Sequence, residues 1–283
     1  MIRILSDSTC DLSQELIEKY NVTVLPLHIN LGEEAYLDGV TITPDEIYKW
    51  SDEHNETPKT AAISIGEAMD AFQPIIDAGD EIIVFSISDS MSATRRVMQL
   101  AAEEMEAEDK IHVIDSANLS TGVGLQVIEA AIMAQEGKSA DEIVAAIADI
   151  TPRVRASFVV DTLTYLHRGG RCSSVAALAG GMLRLHPRIA VADGKMDAGK
   201  KYRGKINRVI MEYVTDMKDD LLAAEKERVF ITHSGCDEET IAQVRAYLEE
   251  LNVFEEILVT RAGSVVSSHC GPGTLGVLFI AGK

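Results

Sequence analysis

Short apolar runs rich in β-branched residues alternate along this chain with amphipathic stretches of helical period. That alternation restricts the fold to the α/β class, in which helices cover sheets built from successive βα units. The strands expected are Ile2 to Ser6, Val22 to Ile29, Glu81 to Ile87, Ile111 to Ile114, Ala156 to Val160, Arg228 to Thr232 and Glu256 to Thr260. Thr43-Pro44-Asp45-Glu46 sets an N-cap threonine, a proline at the first helical position and a glutamate at the third, so a helix is expected through Trp50. Ser64-Ile65-Gly66-Glu67 and Ser139-Ala140-Asp141-Glu142 repeat the capping pattern, and Gly137 closes a helix that starts near Leu119. Pro152 follows a long helical pattern and precedes a fresh strand. A boundary is therefore expected near residues 150 to 156, with one α/β domain over 1–154 and a second over 155–283. The last apolar run, Val277 to Ile280, is compatible with either sheet.

With 283 residues and 46% hydrophobic content, the chain has the material for a packed core, which excludes disorder as its resting state. Its longest apolar runs, such as Val154 to Val160 and Val175 to Leu183, fall well short of the roughly 20 residues that span a bilayer. The start, Met1-Ile2-Arg3-Ile4-Leu5-Ser6-Asp7, lacks the basic and apolar regions of a signal peptide, so a cytoplasmic location without integral membrane association is expected. The four cysteines, Cys10, Cys172, Cys236 and Cys270, lie far apart without a C-x-x-C and read as reduced thiols.

A net charge of −19 argues against nucleic acid, whose binding rests on neutralising phosphates with Lys and Arg. The charge is uneven. From His167 to Arg208 ten bases face two acids, a local +8, which leaves −27 on the rest. Such a segment suits docking of an acidic partner or a phosphate-bearing ligand; the plainer reading is a solvated loop and helix face.

Small polar residues cluster after expected strands: Ser6-Asp7-Ser8-Thr9, Ser86 to Ser92, Asp115-Ser116 and His233-Ser234. In open α/β sheets ligands bind beyond the carboxyl ends of strands, so these clusters outline a shared polar site, although ordinary capping explains each one singly. Gly271-Pro272-Gly273-Thr274-Leu275-Gly276 matches G-x-G-x-x-G, yet the chain has no room after it for the helix, strand and acid of a dinucleotide site. The glycines read instead as a tight turn whose N–H groups approach an anion. His233 with Cys236 and His269 with Cys270 have poor spacing for zinc, because neighbours on a strand point to opposite faces. A Ser-His-Asp triad has the residue types but no G-x-S-x-G elbow.

Ser6-Asp7-Ser8-Thr9-Cys10-Asp11-Leu12 resembles the opening S-D-S-x-x-D-L of the DegV family of bacterial fatty-acid-binding proteins. Val113-Ile114-Asp115-Ser116, followed by Ser120 and Gly122, resembles the family's V-D-S-x-x-x-S-x-G. Thr162-Leu163-Thr164-Tyr165-Leu166-His167-Arg168-Gly169-Gly170-Arg171 is similar to its T-L-x-Y-L-x-x-G-G-R, and His269-Cys270-Gly271-Pro272-Gly273-Thr274-Leu275-Gly276 to its H-x-G-P-G-x-L-G. Four motifs in family order extend the likeness over essentially the whole chain. The resemblance implies two α/β domains with the ligand site between them, holding a long-chain fatty acid by its carboxylate with the tail buried. It implies a carrier rather than an enzyme, without metal or organic cofactor, that presents the acid to a fatty acid kinase for acyl-phosphate formation in phospholipid metabolism.

By the same resemblance Thr60 takes the place of the ligand-binding threonine, Ser92 that of a second hydroxyl donor and His269 that of the head-group histidine. Ser6, Asp7, Asp115, Ser116, Gly271 and Gly273 form a supporting polar site, and Arg171 and Arg203 anchor an acidic partner. Ala61-Ala62-Ile63 and Ala93 depart from the family's S-Q-P and Gly. The chemistry agrees: a buried carboxylate needs several charge-assisted hydrogen bonds, and two hydroxyls ahead of helices plus a protonated or Nε2–H imidazole would supply them. Read from the residues alone, Thr60 and Ser92 serve equally as caps and His269 as a core residue. Rival functions are a Ser/His-dependent acyl hydrolase or transferase, and a lipid-sensing regulatory protein.

Overall fold

The computed structural model describes residues 1–176 and 185–283. Arg184 of the basic segment and most of the run Val175 to Leu183 lie outside the described residues. In chain order the strands are β1 (Ile2–Asp7), β2 (Thr23–Leu25), β3 (His28–Leu31), β4 (Glu34–Leu37), β5 (Lys59–Ala61), β6 (Glu81–Ser86) and β7 (Ile111–Asp115). They continue as β8 (Val154–Val159), β9 (Leu185–Ala192), β10 (Lys195–Arg203), β11 (Ala224–His233), β12 (Glu256–Arg261) and β13 (Leu275–Ala281).

The first lobe holds a parallel sheet in the order β2-β1-β6-β7 and a small antiparallel sheet in the order β4-β3-β5. The second holds a six-stranded mixed sheet in the order β10-β9-β8-β13-β11-β12, parallel only between β11 and β12. The last strand thus returns to the second sheet, between β8 and β11. The expected strand Val22 to Ile29 is broken by Pro26, which cannot donate to a ladder, and its halves β2 and β3 join different sheets.

The capping boxes at Thr43, Ser64 and Ser139 form, and they start the helices Pro44–His54, Ile65–Asp77 and Ala140–Ile150. The helix Thr121–Gln135 ends just before Gly137, whose φ of 79° suits a residue without Cβ. That helix is apolar on nearly every side because both lobes cover it. Its Val123, Leu125, Val127 and Ile128 pack with Ile4 and Phe85 of the parallel sheet and with Phe230 and Leu278 of the mixed one. One core therefore runs through both lobes and fixes the seam between them.

The basic segment is only partly loop and helix face: Arg168 lies on the helix Thr164–Gly169 and Arg208 on the helix Ile206–Asp216, but its middle is a pair of strands. β9 and β10 form an antiparallel hairpin across Asp193-Gly194, whose φ values of 49° and 73° suit a two-residue turn of the primed type. Lys195, Lys200, Lys201 and Arg203 are exposed along β10.

Candidate functional site

Beyond the carboxyl ends of β2, β6 and β7 the two lobes enclose a cavity of about 240 Å³. Leu27, Ile87, Met91 and Leu119 of the first lobe and Phe158, Leu166, Met196 and Leu278 of the second supply its apolar walls. Thr60, Ser92, Arg171 and His269 line it as well, and among the described lining residues there is no Asp or Glu. The three residues expected at the head group are therefore brought to one cavity by separate elements.

Thr60 sits in β5, opposite Ile29 of β3, and its Oγ1 lies 2.8 Å from His269 Nε2. It is not a helix cap, the plainer reading of this residue, because Ser64 caps the following helix. His269 rides on the helix Ser264–Cys270. Burial pushes its pKa down to about 4, and the nearby Arg171 guanidinium pushes the same way, so the ring is neutral at pH 7 rather than protonated. Its Nδ1 is buried without a hydrogen-bond partner and lies against Gly169, where a Cβ would collide with it. In the tautomer protonated at Nε2, the imidazole donates to Thr60 Oγ1 and leaves the threonine O–H for another acceptor. In that tautomer the single N–H of His269 is engaged by Thr60.

Ser92 precedes the helix Thr94–Glu104; its Oγ accepts from Thr94 N (3.3 Å) and lies 2.8 Å from Thr94 Oγ1. Arg171 donates to the carbonyls of Met91 (3.4 Å) and Gly169 (2.7 Å), which ties it to the neighbours of Ser92 and His269. Arg171 and Arg203, expected as two anchors of one docking face, are not brought together. Arg171 lines the cavity, whereas Arg203 borders a separate surface groove with Lys200, Lys201 and Arg208.

None of the six supporting residues lines the cavity. Asp7 accepts from Thr9 N, Thr9 Oγ1 and Ile87 N, and so clamps the ends of β1 and β6 together; Ser6 is buried beside it. Asp115 accepts from Ala117 N and Asp89 N, and Ser116 shapes the same turn through Asn118. Gly271 and Gly273 take φ of 74° and 75° in a turn that packs on Tyr165 and Asp161 and leads into β13. Asp7, Asp115 and Ser116 thus do local work in the turns after their strands, and Asp7 alone of the six caps a helical turn.

Ser120, Thr232, Ser234 and Thr274 line the cavity without having been singled out as contacts. Ser120 lies in the V-D-S-x-x-x-S-x-G motif and Ser234 in a strand-end cluster, so signals existed for both. His269 and Cys270 share a helix rather than a strand, so the reason given against zinc does not apply. Among the described residues no three His, Cys, Asp or Glu side chains group to hold a metal ion. The four cysteines are unpaired, and no helix among the described residues is long and apolar enough to cross a membrane.

A family model described as "Uncharacterised protein, DegV family" matches residues 1–282. A DegV domain-containing protein of Caldanaerobacter subterraneus subsp. tengcongensis is 34% identical over 98% of this chain and 98% of its own. A DegV family protein of Thermus thermophilus, whose structure describes fatty acid binding, superposes with a TM-score of 0.91 at 30% identity over 99% of each chain. A stearic acid-binding protein of Eubacterium ventriosum superposes with a TM-score of 0.84 at 28% identity over 99% of this chain and 98% of its own. Sequence, fold and the cavity at the seam agree, and the chain belongs to the DegV family.

Proposed function

We propose that this protein carries one long-chain fatty acid, with the carboxylate at Thr60, Ser92 and Arg171 and the tail along the apolar walls between residues 1–154 and 155–283. The observation that carries this reading is an interlobe cavity whose apolar walls meet, among the described residues, a cluster of neutral donors and one guanidinium with no acid. A carboxylate placed there receives two O–H bonds and an ionic partner, the conditions under which a buried carboxylate stays charged. The protein acts as a carrier. His269 has no carboxylate at Nδ1 and a pKa near 4, so it lacks both the orientation and the basicity that acyl hydrolysis would ask of it. The exposed bases of β10 form the docking face for an acidic partner, a fatty acid kinase that phosphorylates the carboxylate. In that arrangement Arg203→Glu slows acyl-phosphate formation and leaves fatty-acid affinity intact; equal loss of both would remove the docking role.

Mass spectrometry of lipid extracted from the purified protein tests the carrier reading. One equivalent of a long-chain acid is expected, and in titrations of saturated acids affinity should rise with length, each methylene contributing at most about 0.8 kcal/mol. No co-purified acid together with no dependence on length would contradict it.

A further inference from the structure

We propose that Asp11 and Asp38 are positioning residues, two first-lobe carboxylates that seat the helix Ser264–Cys270 of the second lobe and thereby set His269 against Thr60. The helix begins at Gly263, which has no side chain to cap the exposed N–H groups of the first turn. Two carboxylates from the other lobe serve instead. Gly263 N donates to Asp11 Oδ1 at 2.8 Å and Ser264 N to Asp38 Oδ1 at 2.6 Å. Each carboxylate is fixed on its far side by a first-lobe hydroxyl, Ser120 Oγ on Asp11 and Ser8 Oγ on Asp38 (2.8 Å). Ser264 Oγ adds a third tie, to Ile42 O at 3.3 Å.

Gly263 is what lets both acids close in, since a Cβ there would stand 3.2 Å from an oxygen of Asp11 and from both oxygens of Asp38. The helix so held brings Val265, Val266, His269 and Cys270 to the cavity wall. His269 lies five residues beyond Ser264, about 7.5 Å along a rigid helix, so a shift at the anchored end is carried to the imidazole. The partner at the other end, Thr60, belongs to the first lobe, as do Asp11 and Asp38. The carboxylates thus hold the second-lobe helix in register with the hydroxyl its histidine must meet. The consequence for ligand affinity rests on the fatty-acid reading above, but the seating itself does not.

Nitrogen NMR of the imidazole rings in the ligand-free protein reads the seating directly, with the His269 signals assigned by their loss in His269→Gln. Asp11→Ala and Asp38→Ala should move those signals as Thr60→Val does, through loss of the Nε2 bond. Asn at either position, still offering Oδ1 as acceptor, should restore them. Ser139→Ala, which uncaps the helix Ala140–Ile150 elsewhere in the first lobe, should lower the melting temperature without moving them. If either alanine variant fails to fold, Gly263→Ala makes the same test, because its methyl group crowds both carboxylates. Stearic acid affinity should fall about tenfold wherever the signals move. Unmoved His269 signals in folded Asp11→Ala, Asp38→Ala or Gly263→Ala overturn the proposal. Stearic acid failing to bind the unaltered protein would count against the carrier reading alone, since the ring signals decide the seating without ligand.

Discussion

Two polar clusters, a buried set of acids in the first lobe and a less buried set of donors lining the cavity, are built on opposite principles. One gathers three carboxylates, Asp7, Asp11 and Asp38, each already engaged by backbone N–H and hydroxyl donors of the chain itself. The other gathers donors, Thr60, Ser92 and Arg171, and among the described residues no acid lines the cavity. A buried carboxylate that the protein has satisfied holds elements together; a donor set without one is a place for a carboxylate to arrive. Acidic residues near strand ends are therefore poor guides to this site, whereas hydroxyls with a spare proton are good ones.

The sharpest way to break this comparison is to empty the closed cluster. Asp7→Ala leaves the Thr9 and Ile87 amides without their acceptor and should destabilise the fold by about 2–5 kcal/mol, read as a lower denaturation midpoint, with a far smaller change in fatty-acid affinity. The open cluster should answer the other way round. Thr60→Ala and Ser92→Ala each remove one charge-assisted bond to the ligand, about 1.5–3 kcal/mol or a ten- to hundredfold loss of affinity by calorimetry, with the melting temperature nearly unchanged. Affinity unmoved in both variants would end the distinction.

A smaller effect separates the clusters by pH. Burial, assisted by the charges of Asp38 and Asp7, pushes Asp11 up to about 8 against its bonds from Ser120 and Gly263. The folded protein then holds a proton that the unfolded chain releases near pH 4, so stability contributed by Asp11 is complete below about pH 4 and lost as pH rises through 8. Asp11→Asn does not titrate, and between pH 5 and 8 it should gain steadily in melting temperature relative to the unaltered protein. A constant difference would mean that Asp11 is ionised throughout. His269 slopes oppositely: its depressed pKa gives stability that is present above its ordinary value of 6.5 and lost as pH falls through about 4.

Much of this was legible in the sequence where one residue decides one local geometry. Thr43, Ser64 and Ser139 each start a helix as their capping boxes require, and Gly137 follows the end of another. The family motifs carried Thr60, Ser92 and His269 to a common cavity although they are spread over more than 200 residues. What stayed hidden depended on partners distant in sequence. The exception is local: Lys195 to Arg203 carries few β-formers, and its strand forms because β10 folds back on its immediate neighbour β9 across Asp193-Gly194. Thr60 lies in a three-residue strand that exists only by pairing with β3. Asp11 and Asp38 resemble ordinary turn acids until Gly263 and Ser264 arrive from the far end of the chain.

A crystal structure of the protein with stearic acid at neutral pH tests the central claim most directly. The account predicts the carboxylate oxygens at about 2.5–2.9 Å from Thr60 Oγ1 and Ser92 Oγ, the Arg171 guanidinium beside them and the chain extending toward Phe158 and Leu278. A carboxylate seated away from those hydroxyls, with Thr60 bonded only to His269, would contradict it.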